Sequence, residues 1–171
     1  VIIFMIIMYR LPGVVAGVAL ILYTAIVLIT LNAFDITLTL PGIAGIILGI
    51  GMAVDGNVII YTRIREEIGA GKSVESAILS GYNKATSSIV DGNVTTLIAA
   101  LVLYIFGTGP VKGFATTLAV GNIVSIFTSL VITKVIMKLL YNFGIRDAKW
   151  YGKNVYRKTL DVLSIKKWAA I

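Results

Sequence analysis

The stretch Leu40–Glu67, LPGIAGIILGIGMAVDGNVIIYTRIREE, constrains this chain more than any other. It is long enough to cross a bilayer, which takes about 20 apolar residues of α-helix, and it carries one carboxylate, Asp55, well inside the run. An uncompensated Asp at the centre of a membrane helix costs roughly 2.5–3.5 kcal/mol on insertion scales, so intramembrane acids are rare and tend to line a polar path. No cation shares the apolar part of the span, which ends in Arg63, Arg65, Glu66 and Glu67 at the water interface. Any partner for Asp55 must therefore come from another helix. Gly42, Gly45, Gly49 and Gly56 fall within about 60° of one another on a helical wheel of ~100° per residue. Such a stripe lets a second helix approach closely. Asp55 lies beside it and is expected to face protein rather than lipid.

Composition supports the same class. Of 171 residues, 58% are hydrophobic, and the mean hydropathy is +0.96, as expected of a membrane protein with one bundle and no soluble domain of its own. With no cysteine there is no thiol chemistry or disulfide. With no histidine, a metal site would have to be built from carboxylates alone, and only 8 acids are present. The net charge of +7 would suggest nucleic acid in a soluble protein; in a membrane protein the excess of Lys and Arg on one side accounts for it, and no nucleic-acid partner is expected. The opening Val1-Ile2-Ile3-Phe4 is already apolar, without a basic leader. It reads as a fragment that starts within a membrane helix, not as a signal peptide.

Taken in order, the chain reads as an all-α polytopic helix bundle of about five spans. The first, 1–9, is partial and closes at Arg10 and Leu11-Pro12-Gly13. Spans follow at about 13–32, 41–61, 89–106 and 113–137, with Pro41 suited to the first turn of its helix. The polar stretch 62–88 is broken at Gly69 and Gly71. Within it Val74, Ala77, Ile78, Gly81, Tyr82 and Ala85 recur at helical spacing after Ser73, a suitable N-cap. This predicts a short amphipathic helix against the membrane face. Gly107-Thr108-Gly109-Pro110 predicts a tight turn. Residues 144–171 form a basic tail. If the spans alternate, all 15 lysines and arginines except Lys112 fall on one side, which places the C-terminus in the cytoplasm. The pentapeptide Val54-Asp55-Gly56-Asn57-Val58 recurs letter for letter at Val90-Asp91-Gly92-Asn93-Val94, but the flanks do not align. It is read as two similar chemical needs on neighbouring helices.

The opening stretch, followed by IVDGNVTTLIAALVLYIFGTGPVKGFATTLAVGNIVSIFT, closely resembles the SecD/SecF family of protein-export membrane proteins of bacteria and archaea. The resemblance runs from about Tyr9 to Tyr141. It implies half of a resistance-nodulation-division fold in the cell membrane, with SecF supplying the other half and a preceding helix and external domain missing here. It also implies a role beside the SecY translocon, where proton flow is coupled to pulling a secreted polypeptide outward, with protons as the coupling ion and no other cofactor. Carried over by position, Asp55 matches the family's proton-linked aspartate, and Asp91, Asn93, Thr95 and Thr96 match its second polar motif. Gly107, Gly109, Pro110, Lys112, Gly113 and Phe114 match its outer-turn motif. Two positions depart from the pattern: Gly56 stands where the family has Ala, and Thr62 where it has Glu.

Simpler readings stand beside these. Asp55 as a carboxyl that only hydrogen-bonds across helices is one. Asp91, three residues after Ser88, can simply complement its helix dipole. Asn57 and Asn93 either orient the carboxylates or bind backbone, and Thr95 and Thr96 suit i−4 carbonyls. The tail, with Lys149, Lys153, Arg157 and Lys158 among Trp150, Tyr151 and Tyr156, suits anionic headgroups better than RNA. Half of a small-molecule or lipid exporter of the same superfamily is the alternative function. An intramembrane aspartyl protease would need Asp55 and Asp91 to share a proton at about 3 Å; the Gly51-Met52-Ala53-Val54-Asp55 context speaks against an enzyme.

Overall fold

The structure, a computed structural model, describes residues 2–144 and 148–151. Among these the chain is helical, joined by short turns. Helix α1 (Ile2–Tyr9) doubles back on α2 (Leu11–Ala33) through Arg10, whose backbone is left-handed at φ 54°. The corner needs glycine: a Cβ at Gly13 would collide with the carbonyl oxygen of Met5. Helix α3 (Leu40–Gly69) starts on Thr39, whose hydroxyl accepts the Gly42 N–H at 3.1 Å. Helix α4 (Val74–Phe106) starts on Ser73, which accepts the Ser76 N–H at 3.4 Å. Helix α5 (Pro110–Phe127) continues through a π turn (Thr128–Ile132) into α6 (Thr133–Asn142). A short 3-10 turn, Ala148–Tyr151, follows.

Four helical stretches are long and apolar enough to cross a membrane: Leu11–Ala33, Leu40–Gly69, Val74–Phe106 and Pro110–Asn142. The eight residues of α1 reach only about 12 Å at 1.5 Å per residue. The sequence reading of 62–88 as a loop carrying its own surface helix is corrected here. Helix α3 runs on through Arg63–Glu67, and the amphipathic segment is the first third of α4, unbroken into the apolar span. The physical reason is that no proline lies between Ser73 and Phe106, and Gly81 is held by packing, its missing Cβ leaving room for Ile64 of α3. At roughly 45–50 Å each, α3 and α4 outrun a ~30 Å hydrocarbon core and project beyond it as a hairpin.

Glu67 clamps that hairpin. It is 6% exposed, and its carboxylate takes Lys72 at 2.6 Å and Lys84 at 2.5 Å. Those two lysines hold its carboxyl below the usual range. Just inside lies one core, built from Met5, Tyr9, Tyr61, Ile64, Ala77, Tyr82 and Met137. Tyr151 completes it, fully buried, so this aromatic of the expected surface tail packs inward while its neighbour Trp150 is exposed. The remaining tail residues named above, Lys153, Tyr156, Arg157 and Lys158, lie outside the described residues. A second core, deeper along α2, gathers Tyr23, Val27, Leu31, Ala53 and Val124.

The glycine face of α3 packs on α5 and on Tyr23 of α2. A Cβ at Gly42 would sit 3.4 Å from Thr117 Cγ2, and one at Gly45 would collide with Thr117 Oγ1. One at Gly49 would come within 2.5 Å of the Tyr23 hydroxyl, and one at Gly56 within 2.9 Å of Ser129 Oγ. Helix α4 lies on the other flank of α3, and only 11% of its most apolar stretch is buried, against 44% in α2. Its outer face is therefore left for lipid or for another subunit.

Candidate functional site

Asp55 is about three and a half turns from the stripe's first glycine but points to the flank where α4 lies. Its carboxylate opens into a groove of about 200 Å³ lined by Met52, Asp55 and Ile59 from α3 and by Ser88, Gly92, Asn93 and Thr96 among the α4 residues. Small residues make the groove: Gly56 and Gly92 lie in its walls, and a Cβ at Gly92 would meet nothing within 4 Å. The expectation that Asp55 faces protein holds on one side only. Within this chain the residue is exposed, and no ion pair reaches it among the described residues.

The second polar motif divides. Asn93 and Thr96 reach the groove; Asp91 and Thr95 do not line it. Asp91 is exposed and accepts a hydrogen bond from the Ser87 hydroxyl one turn back, at 3.3 Å. Thr95 and Thr96 donate to the carbonyls of Asp91 and Gly92, at 3.0 and 3.2 Å. Asn93 likewise donates to the carbonyl of Ile89 at 2.6 Å. So the repeated pentapeptide does two different jobs: α3 presents its Asp and Gly to the groove, α4 its Gly and Asn.

Asn57 is turned away. It is buried behind Asp55, and its Oδ1 accepts from the Thr133 hydroxyl at 3.1 Å. This joins α3 to the far side of the π turn. The Thr133 hydroxyl also lies 3.0 Å from the Thr128 carbonyl, which already takes the Thr133 backbone N–H as the i→i+5 bond of the π turn. Gly56 adjoins the same turn at Ser129.

Three contributors were not singled out from sequence. Ser88 lines the groove. Asn122, fully buried on α5, donates to the backbone carbonyl of Asn93 at 2.7 Å and so fixes α4 against α5 at groove level. Thr133 holds Asn57. The available signal was an Asn or Thr inside an otherwise apolar span, a pattern that recurs at helix–helix contacts in membranes.

A helical membrane bundle with one carboxylate in a groove at mid-depth, and an uncovered face beside it, is the architecture of half a resistance-nodulation-division transporter. Residues 1–143 match the family described as protein export membrane protein SecD/SecF, C-terminal. The chain belongs to that family. It is similar to protein translocase subunit SecD of Acidaminococcus fermentans, 49% identical over 90% of this chain and 37% of that protein. It is also similar to SecD of Syntrophobacter fumaroxidans, 58% identical over 81% of this chain and 26% of that protein. The chain thus spans about a quarter to two fifths of these curated relatives. The crystal structure of SecDF from Thermus thermophilus, a translocon-associated membrane protein, superposes with a TM-score of 0.81 at 42% identity, covering 84% of this chain and 20% of that one.

Proposed function

We propose that this chain is the membrane part of a proton-coupled protein-export subunit. It works with a second half of SecF type, beside the SecY translocon, in the cytoplasmic membrane with its C-terminus inside. The observation that carries the reading is the position of Asp55, a single carboxylate deep in a span, set in a mostly apolar groove with a few polar side chains that opens to the uncovered face of α3 and α4. A site driven by the proton gradient must alternate between charged and neutral while its access changes sides. The electrical part of that gradient supplies about 2.3 kcal/mol per charge per 100 mV.

Ser88, Asn93 and Thr96 place polar side chains in the groove without supplying a cation. The charged form of Asp55 therefore calls for a group from the partner half, docked on the exposed apolar residues Ile98, Leu101 and Ile105 of α4. Relatives named as translocase subunits favour polypeptide export over small-molecule or lipid export, and transport over catalysis.

The test uses the full-length protein with its partner half, reconstituted in vesicles with the translocon and its ATP-driven motor. Asp55→Asn keeps size and hydrogen bonding but cannot titrate. It should insert and assemble normally, lose the gradient-dependent part of export and keep the ATP-driven part. Asp55→Glu should retain partial activity. Asp91→Asn should be milder than Asp55→Asn, because Asp91 lies outside the groove. Full gradient stimulation with Asp55→Asn, at matched expression, would remove Asp55 as the carrier.

A further inference from the structure

Where α4 begins and α6 ends, a second cavity of about 280 Å³ is lined by Glu75, Ile78, Leu79, Lys138, Tyr141 and Asn142. It holds one carboxylate and one ammonium on opposite helices, yet the two do not form an ion pair, and Lys138 pairs with no other acid among the described residues. Among the described residues, Glu75 receives a long hydrogen bond from the Tyr141 hydroxyl, at 3.4 Å. Opposite charges placed in one cavity and left apart suit a ligand that carries both.

Depth narrows the ligand. The apolar part of the α5–α6 rod, residues 113–137, is centred near residue 125. Lys138 lies thirteen residues further along, about 20 Å at 1.5 Å per residue. Half the hydrocarbon core is ~15 Å, and the headgroup layer adds roughly 5–7 Å on each side. The cavity therefore opens within the headgroup layer on the side of the basic loops. Val135 and Leu139, 51% and 49% exposed, flank Lys138 and offer an apolar track toward the hydrocarbon. The volume is slightly below the roughly 300 Å³ at which small-molecule clefts begin. It suits a headgroup whose acyl chains stay outside.

We propose that this cavity binds the zwitterionic headgroup of phosphatidylethanolamine. Lys138 and the Asn142 amide hold the phosphate, and the Glu75 carboxylate accepts hydrogen bonds from the ligand's ammonium. An anionic headgroup without an amine would satisfy Lys138 but bring negative charge to Glu75. A choline headgroup has no N–H to donate to that carboxylate. Only a phosphate with a primary ammonium uses both walls.

The full-length protein in detergent, given phosphatidylethanolamine, phosphatidylglycerol or phosphatidylcholine with matched chains, tests this by native mass spectrometry. Phosphatidylethanolamine should be retained preferentially. Glu75→Gln and Lys138→Ala should each weaken its retention about tenfold, as for loss of one hydrogen bond to a charged group. Glu75→Lys should turn the preference toward phosphatidylglycerol, a gain that misfolding would not produce. Soluble phosphoethanolamine should fail to displace the lipid; displacement at millimolar concentration would replace the bilayer by a free metabolite as the source. Equal retention of the three lipids, or retention unchanged by Glu75→Gln, would overturn the proposal.

Discussion

The hydroxyl of Thr133 lies 3.1 Å from Oδ1 of Asn57, across 76 residues of sequence, at the point where the π turn passes into α6. Both residues are buried, Asn57 at 3% exposure and Thr133 at 0%. Behind Asp55, then, α3 is tied to the least regular turn of the neighbouring rod. A π turn bonds i to i+5 in place of i to i+4, and here the Thr128 carbonyl takes the Thr133 backbone N–H and also faces the Thr133 hydroxyl.

Removing that hydroxyl should cost stability. Thr133→Val keeps the shape and leaves the Asn57 carbonyl without its donor, at about 1–3 kcal/mol for an unsatisfied buried polar group. Paired with Asn57→Leu in a double-mutant cycle, the coupling should fall at roughly 0.6–1.7 kcal/mol, the range for hydrogen bonds between membrane helices. The unfolding free energy in mixed micelles measures both quantities. Zero coupling would mean that the pair is a contact without energetic weight.

Two glycines of the same helix should answer differently to one methyl group. At Gly45 a Cβ would run into Thr117 Oγ1 and come within 3.2 Å of the Phe114 carbonyl oxygen; at Gly51 it would meet nothing within 4 Å. Gly45→Ala should separate α3 from α5 and destabilise by about 1–3 kcal/mol, the usual cost of overpacking. Gly51→Ala should be neutral or stabilising by up to ~1 kcal/mol through helix propensity. Equal thermal shifts for the two variants would show that the glycine face is not closely packed.

Glu67 makes the α3–α4 hairpin sensitive to acid. Its folded carboxyl is held below the ordinary value of 4.5 by hydrogen bonds from Lys72 and Lys84. A group whose folded pKa is depressed contributes stability that is present above the unfolded pKa and lost as pH falls through the folded one. Hydrogen exchange at residues 67–74, followed downward from pH 6, should therefore speed up below about pH 4.5, beyond the intrinsic rate change. Glu67→Gln should exchange faster at pH 6 and lose the added acid step. An acid step that persists in Glu67→Gln would assign it to another carboxylate.

Topology can be read chemically, since the chain has no cysteine of its own. Single cysteines at Asp35 and Thr108 should react with an impermeant thiol reagent added outside intact cells. One at Lys72 should react only after the cells are opened. Labelling of Lys72→Cys in sealed cells would reverse the orientation.

Much of this molecule follows from residue order alone. An apolar run of bilayer length must become a helix, because a backbone in hydrocarbon has no water to satisfy its polar groups. Hence the spans, the Pro41 and Ser73 starts and the singular Asp55 are all visible in one dimension. The spacing of Gly42, Gly45, Gly49 and Gly56 likewise implies one smooth face. What no periodicity could decide is which neighbour takes which face. Packing puts α5 and Tyr23 against the glycines, and this turns Asp55 toward α4 and Asn57 toward Thr133. The identical pentapeptides on α3 and α4 therefore present different residues to the groove, because identity of sequence fixes helical phase but not the partner each phase meets. Tyr151 was legible only as an interfacial aromatic, yet it fills a core assembled from α1, α2, α3, α4 and α6. The continuity of α4 through residues 74–88 and the π turn at Thr128–Ile132 belong to the same class. Each depends on contacts between segments far apart in the chain, which tertiary structure alone brings together.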